Sequence, residues 1–167
     1  SRVSRGLGDV YKRQDNNWLS PDEVEKVNGK IVKKIDENKI VKVGPSESMS
    51  KSKKNVIDPE FIIKNYGADA VRLFILSDSP PEKDVQWSDT GISASFKFLQ
   101  KLWSLNEKIC KNKKEFSKFD EELEKFNNQI IRKLNNDLGR FGFNVVIASI
   151  YKIYSFYISL KSTFIKR

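Results

Sequence analysis

Ser48-Met49-Ser50-Lys51-Ser52-Lys53-Lys54-Asn55-Val56-Ile57-Asp58-Pro59 sets three lysines among serines immediately ahead of a helix-start signal. Asp58 is a good N-cap, Pro59 suits the first helical position where its missing N–H costs little, and Glu60 favours the positive end of a helix. A helix is therefore predicted from about Pro59. The stretch before it has almost no apolar side chain except Met49, which predicts a surface loop. Gly44-Pro45-Ser46-Glu47 is expected to interrupt regular pairing and open that loop. Lysines placed this way can reach phosphates, because a compact ammonium sits on a flexible stem while serine hydroxyls and loop N–H groups add donors without bulk. The plain alternative is a solvated basic loop.

Working outward, the apolar residues Val24, Val27, Ile31, Ile35, Ile40, Val41 and Val43 alternate loosely, broken by Asn28-Gly29 and Asp36-Glu37-Asn38. This predicts short antiparallel strands with turns. On the other side, Gly67 fits a left-handed position after the first helix, and Ala68 to Leu76 resumes as a second one. Pro80-Pro81 lies in a linker from Ser77 to Trp87. Ser88 can then cap a helix whose positions Ile92, Phe96, Leu99, Leu102 and Trp103 follow the 3.6 period, reaching about Cys110. After the lysine-rich joint Lys111 to Lys118, Phe119, Leu123, Phe126, Ile130, Leu134 and Leu138 predict another helix. Beyond Gly139 and Gly142, Phe143, Val146, Ile147, Ile150, Tyr154, Tyr157 and Ile158 predict a last one. These stripes are wide enough for a larger bundle, so Phe143, Ile150 and Tyr157 are expected to be only partly covered.

The 167 residues hold 31 Lys plus Arg against 22 Asp plus Glu, a net charge of +9, which favours polyanionic partners without identifying them. The single cysteine, Cys110, can make no internal disulfide, and no run of some 18 apolar residues is present, so a reducing, cytoplasmic setting is expected. Residues 1–14, Ser1-Arg2-Val3-Ser4-Arg5-Gly6-Leu7-Gly8-Asp9-Val10-Tyr11-Lys12-Arg13-Gln14, resemble translated sequencing-adapter sequence and are set aside from the fold reading. They carry Arg2, Arg5, Lys12 and Arg13 against Asp9, so the basic excess survives their removal.

The run Ser48–Ser52 resembles the KMSKS signature loop of class I aminoacyl-tRNA synthetases. Asn65-Tyr66-Gly67-Ala68-Asp69-Ala70-Val71-Arg72-Leu73-Phe74 resembles the helix that follows it across the class. Ser79-Pro80-Pro81-Glu82-Lys83-Asp84-Val85-Gln86-Trp87-Ser88-Asp89-Thr90-Gly91, with Phe96-Lys97-Phe98-Leu99 and Leu102-Trp103, resembles the bacterial type of leucyl-tRNA synthetase at the entry to its helical bundle. Lys54, where isoleucine and valine enzymes usually carry Gly, fits the same pattern.

The resemblance implies a mainly α chain with a small β part: the end of a class I catalytic region plus the start of an anticodon-binding-type helical bundle. Residues 15–87 would be the end of the catalytic region with the KMSKS loop and the helical module after it, and residues 88–167 a truncated tRNA-binding bundle. It implies leucine-tRNA ligase activity with ATP as substrate, Mg²⁺, leucine and tRNA(Leu), and no membrane or DNA partner. Ser48, Met49, Ser50, Lys51 and Ser52 would form the ATP loop, with Lys51, matching the second signature lysine, on the leaving phosphates. Ser48 departs from the pattern by standing where the first signature lysine belongs, and Lys53 or Lys54 are the candidates to replace it.

No Met begins the chain and no His occurs in it, so the family's HIGH motif is missing and a fragment, inactive alone, is expected. The competing reading is a non-enzymatic basic RNA-binding module. Asp69 and Arg72 are read as a helix surface pair, Trp87 and Trp103 as packing residues at the joint before the bundle, and Cys110 as inert. Lys111, Lys113, Lys114 and Lys118 either contact tRNA phosphates or solvate a linker.

Overall fold

The computed structural model describes residues 6–12, 17–111 and 121–165, with the side chains of 36–40, 122 and 160–165 outside that description. The chain divides into two compact units, residues 1–65 with 82–89, and residues 66–81 with 90–167. The helix after Gly67 falls in the second of these units.

In the first unit, β1 (Gly6–Lys12) pairs antiparallel with β2 (Trp18–Leu19). A separate three-stranded sheet follows, formed by β3 (Val24–Val27), β4 (Lys30–Lys33) and β5 (Asp36–Ile40). Its first turn is Asn28-Gly29, with φ of 48° and 82°; both are positive, as a tight two-residue hairpin requires. Ile35, read from the sequence as part of an apolar alternation, falls in the next turn and is 86% exposed. Leu19, Val24 and Val41 form the buried cluster, with Tyr11 and Ile31 packed against it.

The segment Gly44-Pro45-Ser46-Glu47 does not open a loop as expected. It lies inside β6 (Lys42–Ser48), antiparallel to β1. The register shifts between Gly8↔Glu47 and Val10↔Gly44, so Pro45 and Ser46 stand opposite Asp9 alone. A proline is tolerated at such a bulge because its missing N–H has no ladder partner to lose. Ser46 Oγ donates to Asp9 Oδ1 at 2.7 Å and accepts from Gln86 Nε2 at 2.8 Å. Gly6–Lys12, set aside in the sequence reading as adapter-like, is therefore the central strand of this sheet.

α1 (Pro59–Tyr66) starts where the capping signal puts it, with Glu60 N–H donating to Asp58 Oδ1 at 3.0 Å. Gly67 has φ 79° and ψ 154°, so it is not the left-handed helix-end residue expected but an extended mirror-image conformation that only glycine adopts readily. It stands before α2 (Ala68–Asp78). β7 (Val85–Gln86) adds a short parallel strand to β1.

The helical unit continues with α3 (Asp89–Lys111), α4 (Glu121–Gly139) and α5 (Phe143–Ile165). Its core takes Ala70 and Phe74 from α2, Ile92, Ser95, Phe98 and Leu105 from α3, and Ile147 and Ser149 from α5. The Phe98 ring lies 4.0 Å from Tyr151 and 5.6 Å from Tyr154, and Phe126 stacks on Phe156 at 3.8 Å. Lys133 ties α4 to α5 by donating to Ser149 Oγ at 3.1 Å. The buried stripe of α3 passes through Phe98 and Leu105 and leaves Trp103 68% exposed, donating to Glu107 at 3.2 Å, so Trp103 is not the packing residue expected. Phe143, Ile150 and Tyr157 are half-buried. Arg72 and Asp69 form the exposed surface pair, at 2.7 Å. Lys113, Lys114, Lys118 and Phe119 lie outside the described residues.

The α4–α5 turn is closed by a residue that sequence would not nominate. Gly142 N–H donates to Asp137 O at 2.9 Å and Phe141 N–H to Leu138 O at 3.0 Å, the two bonds of a Schellman motif. The left-handed position is Phe141, with φ 56°, rather than Gly139 or Gly142.

Candidate functional site

The lysine loop leaves β6 at Ser48 and is pinned by one side chain. Asn55 is 1% exposed. Its Oδ1 accepts from Ser50 N–H at 2.8 Å, and its Nδ2 faces the carbonyls of Gly8, Glu47 and Ser48 at 3.3, 3.2 and 3.5 Å. One amide thereby joins the start of the loop to β1 and to the end of β6. The approach is close enough that a Cβ at Gly8 would come within 2.5 Å of the Asn55 carbonyl oxygen. Met49 N–H extends the ladder to Gly6 O at 3.0 Å.

From Ser50 the chain makes a single 3₁₀ turn, Lys51–Lys53. Ser50 caps it: its Oγ accepts from Lys53 N–H at 3.3 Å and lies 3.0 Å from Ser52 Oγ. Lys54 ends the turn in the left-handed conformation, φ 52° and ψ 25°. That geometry is one glycine would adopt freely, which gives the Gly/Lys difference at this position a conformational meaning.

The three lysines are not equivalent. Lys53 pairs with Glu47. Lys54 reaches Glu23 at 3.6 Å. Glu23 is fixed in turn by Ser20, whose N–H and Oγ lie 2.9 and 3.1 Å from Oε2. The Ser20 N–H is the main cause holding the Glu23 carboxyl below its ordinary value; burial opposes it, and the Ser20 hydroxyl and Lys54 add to it. Lys51 is exposed, and among the described residues no carboxylate pairs with it. The loop thus presents the Lys51 ammonium and two exposed or half-exposed serine hydroxyls, an arrangement suited to anionic oxygens.

Of the residues singled out from sequence, Ser48, Met49, Ser50, Lys51 and Ser52 come together as the strand end, the cap and the turn. Asn55 was missed as a functional residue, because a lone Asn in a polar run carries no periodic signal; its burial appears only once β1 and β6 are paired. Among the described residues no group of three or more His, Cys, Asp or Glu side chains could hold a metal ion, and no helix is long and apolar enough to cross a membrane.

A family model described as tRNA synthetases class I (I, L, M and V) matches residues 32–88, a span that contains the loop and its clamp partners Glu47, Ser48, Ser50 and Asn55. The chain is 44% identical over 139 residues to the leucine-tRNA ligase of Rickettsia canadensis (strain McKiel), covering 83% of this chain and 16% of that one. It is 40% identical over 158 residues to the leucine-tRNA ligase of Orientia tsutsugamushi (strain Boryong), covering 93% of this chain and 19% of that one. Among solved structures it resembles the Agrobacterium radiobacter K84 agnB2 LeuRS, crystallised in a ternary complex with tRNA and LeuAMS. There the TM-score is 0.58 and the identity 26%, over 70% of this chain and 16% of that one. The chain thus spans less than a fifth of the length of these relatives. With both its sequence and its fold matched, the chain belongs to the leucyl-tRNA synthetase family of class I tRNA synthetases.

Proposed function

We propose that this chain is the part of a leucine-tRNA ligase that carries the phosphate-binding loop for leucine activation, followed by helices of its tRNA(Leu)-binding bundle. The observation that carries this reading is Lys51: an exposed ammonium on a turn whose backbone is fixed by Asn55. Activation is attack of a carboxylate on the α-phosphate of ATP, and negative charge gathers on the departing pyrophosphate. A cation held in place beforehand lowers that barrier without reorganising. Lys51 is the residue assigned to this role, with Ser48, Met49, Ser50 and Ser52 shaping the loop around the ATP phosphates. Mg²⁺ belongs here to the nucleotide substrate.

On this reading the chain alone does not activate leucine, because Lys51 acts only where other parts of a catalytic region position ATP beside it. Residues 15–87 would serve the catalytic region and 88–167 the bundle, in a cytoplasmic enzyme. Residues 1–14 are proposed to be adapter-derived, with Gly6–Lys12 standing where a strand of the enzyme's own would pair with β6; the same fourteen codons in a genomic read would contradict that. The test of function is a chimera in which residues 17–165 replace the matching segment of the Rickettsia canadensis relative. Leucine-dependent ATP–pyrophosphate exchange by the chimera is expected, with none from the 167-residue chain. A chimera that folds and binds tRNA but exchanges no pyrophosphate would favour the non-enzymatic RNA-binding reading.

A further inference from the structure

We propose that Lys53 is a second phosphate-binding residue of this loop and that Glu47 is the positioning residue holding it in reserve. The proposal rests on the reading of the loop as the phosphate-binding element. Ser48 leaves one signature position without a cation, and the two lysines after Ser52 are both held by exposed ion pairs, so what separates them is their place on the turn. Lys54 sits on a left-handed residue at the end of the turn, and its partner Glu23 is itself fixed by two groups of Ser20. Lys53 lies within the same turn as Lys51, and its partner Glu47 is on β6 beside the loop.

The Lys53–Glu47 pair is wet: the two side chains are 32% and 37% exposed. A pair in that environment contributes little and is readily exchanged. A polyphosphate offers several anionic oxygens to Lys51 and Lys53 at once, so the second contact forms at high effective concentration after the first. The Asn55 clamp keeps Ser50 and the strand ends in place during the exchange, so rotation about the four-carbon stem of Lys53 suffices. Glu47 therefore competes with phosphate for Lys53, and the loop moves from one phosphate cation to two when phosphate wins.

The test is a titration of the 167-residue chain with inorganic tripolyphosphate, followed at the backbone amides of Lys51 to Asn55 by NMR. The variants are Lys51→Ala, Lys53→Ala, Glu47→Gln and the Glu47→Gln/Lys53→Ala pair. Glu47→Gln should tighten binding by about threefold to tenfold, and the gain should vanish when Lys53 is also Ala. A gain of equal size with and without Lys53 would mean that Glu47 acts only through its charge, and would overturn the proposal, as would no gain. If Glu47→Gln fails to fold, Glu47→Asp, which keeps the charge and shortens the reach, should give a smaller gain that again depends on Lys53. Lys51→Ala separates the two readings. If it leaves the titration unchanged while the Glu47 gain still depends on Lys53, the assignment of Lys51 falls and this proposal stands. If no loop amide responds, both fall.

Discussion

The lysine loop is fixed by one buried amide and a few main-chain hydrogen bonds, whereas the helical unit is fixed by apolar stripes and ring contacts. Asn55 makes its contacts to the backbone of β1, β6 and the loop. Ile92, Phe98 and Ile147 make theirs by burial, and Phe126 by stacking. The difference matters for chemistry. A polar clamp fixes the main chain under the loop while leaving Lys51 out in solvent, which a loop packed by apolar side chains could not do. Apolar packing instead supports the helices, with the Lys133–Ser149 hydrogen bond added between α4 and α5.

The comparison can be broken first in the helical unit. Ile92 is fully buried, so Ile92→Ala should destabilise that unit by about 2–5 kcal/mol in chemical denaturation, through lost transfer energy and a cavity. Amide exchange at Ser50 should be unchanged in the same variant. Faster exchange there would mean that the loop does not have its own support. The converse is Asn55→Ala, which strands the Ser50 N–H and should cost about 1–3 kcal/mol in the first unit. It should also deprotect the Ser50 amide and hasten tryptic cleavage after Lys51, with the helix melt unmoved.

A smaller effect sharpens the picture of the α4–α5 turn. Phe141 holds φ 56° at 66% exposure, so Phe141→Gly should relieve strain and stabilise the helical unit by roughly 0.5–1 kcal/mol. A loss of stability would show that its edge-to-face contact with Phe143, at 6.0 Å, outweighs the strain. The smallest effect is a pH dependence confined to the first unit. The folded carboxyl of Glu23 is lowered, so its contribution is present above the ordinary carboxylate value and lost as pH falls through the lowered one. Glu23→Gln should flatten the acid limb of the first unit's stability, and an unaltered limb would remove Glu23 from the loop's support.

What the sequence made legible follows the same division. The helices of the second unit were readable because apolar residues recur at a 3.6 period, and α1 because Asp58-Pro59-Glu60 is a local signal. The loop itself was placed by its serines and lysines. The roles of Asn55 and Glu23 were not readable, since Asn55 reaches Gly8 and Glu23 reaches Lys54 across long stretches of sequence, while Glu47 meets Lys53 only six residues on because the chain turns back on β6. Pro45 misled, because a proline that reads as a break sits in a bulge. Trp103 misled because a stripe read by spacing alone drifts around a long helix, and the left-handed Phe141 was not legible because nothing local marks a phenylalanine for such a turn. β1 was set aside, and its part in the site is largely that of main chain: Gly6 and Gly8 offer carbonyls, and Gly8 offers the absence of a Cβ.

The central claim is that Lys51 meets the charge that develops on the leaving pyrophosphate. The most direct measurement is single-turnover leucyl-adenylate formation by the chimera with Lys51 and with Lys51→Ala, alongside leucine binding at equilibrium. Losing a preorganised contact of this kind should slow adenylation by about 100- to 1000-fold, roughly 2.7–4 kcal/mol, with leucine affinity unchanged. An adenylation rate in Lys51→Ala equal to that of the parent chimera would contradict the account.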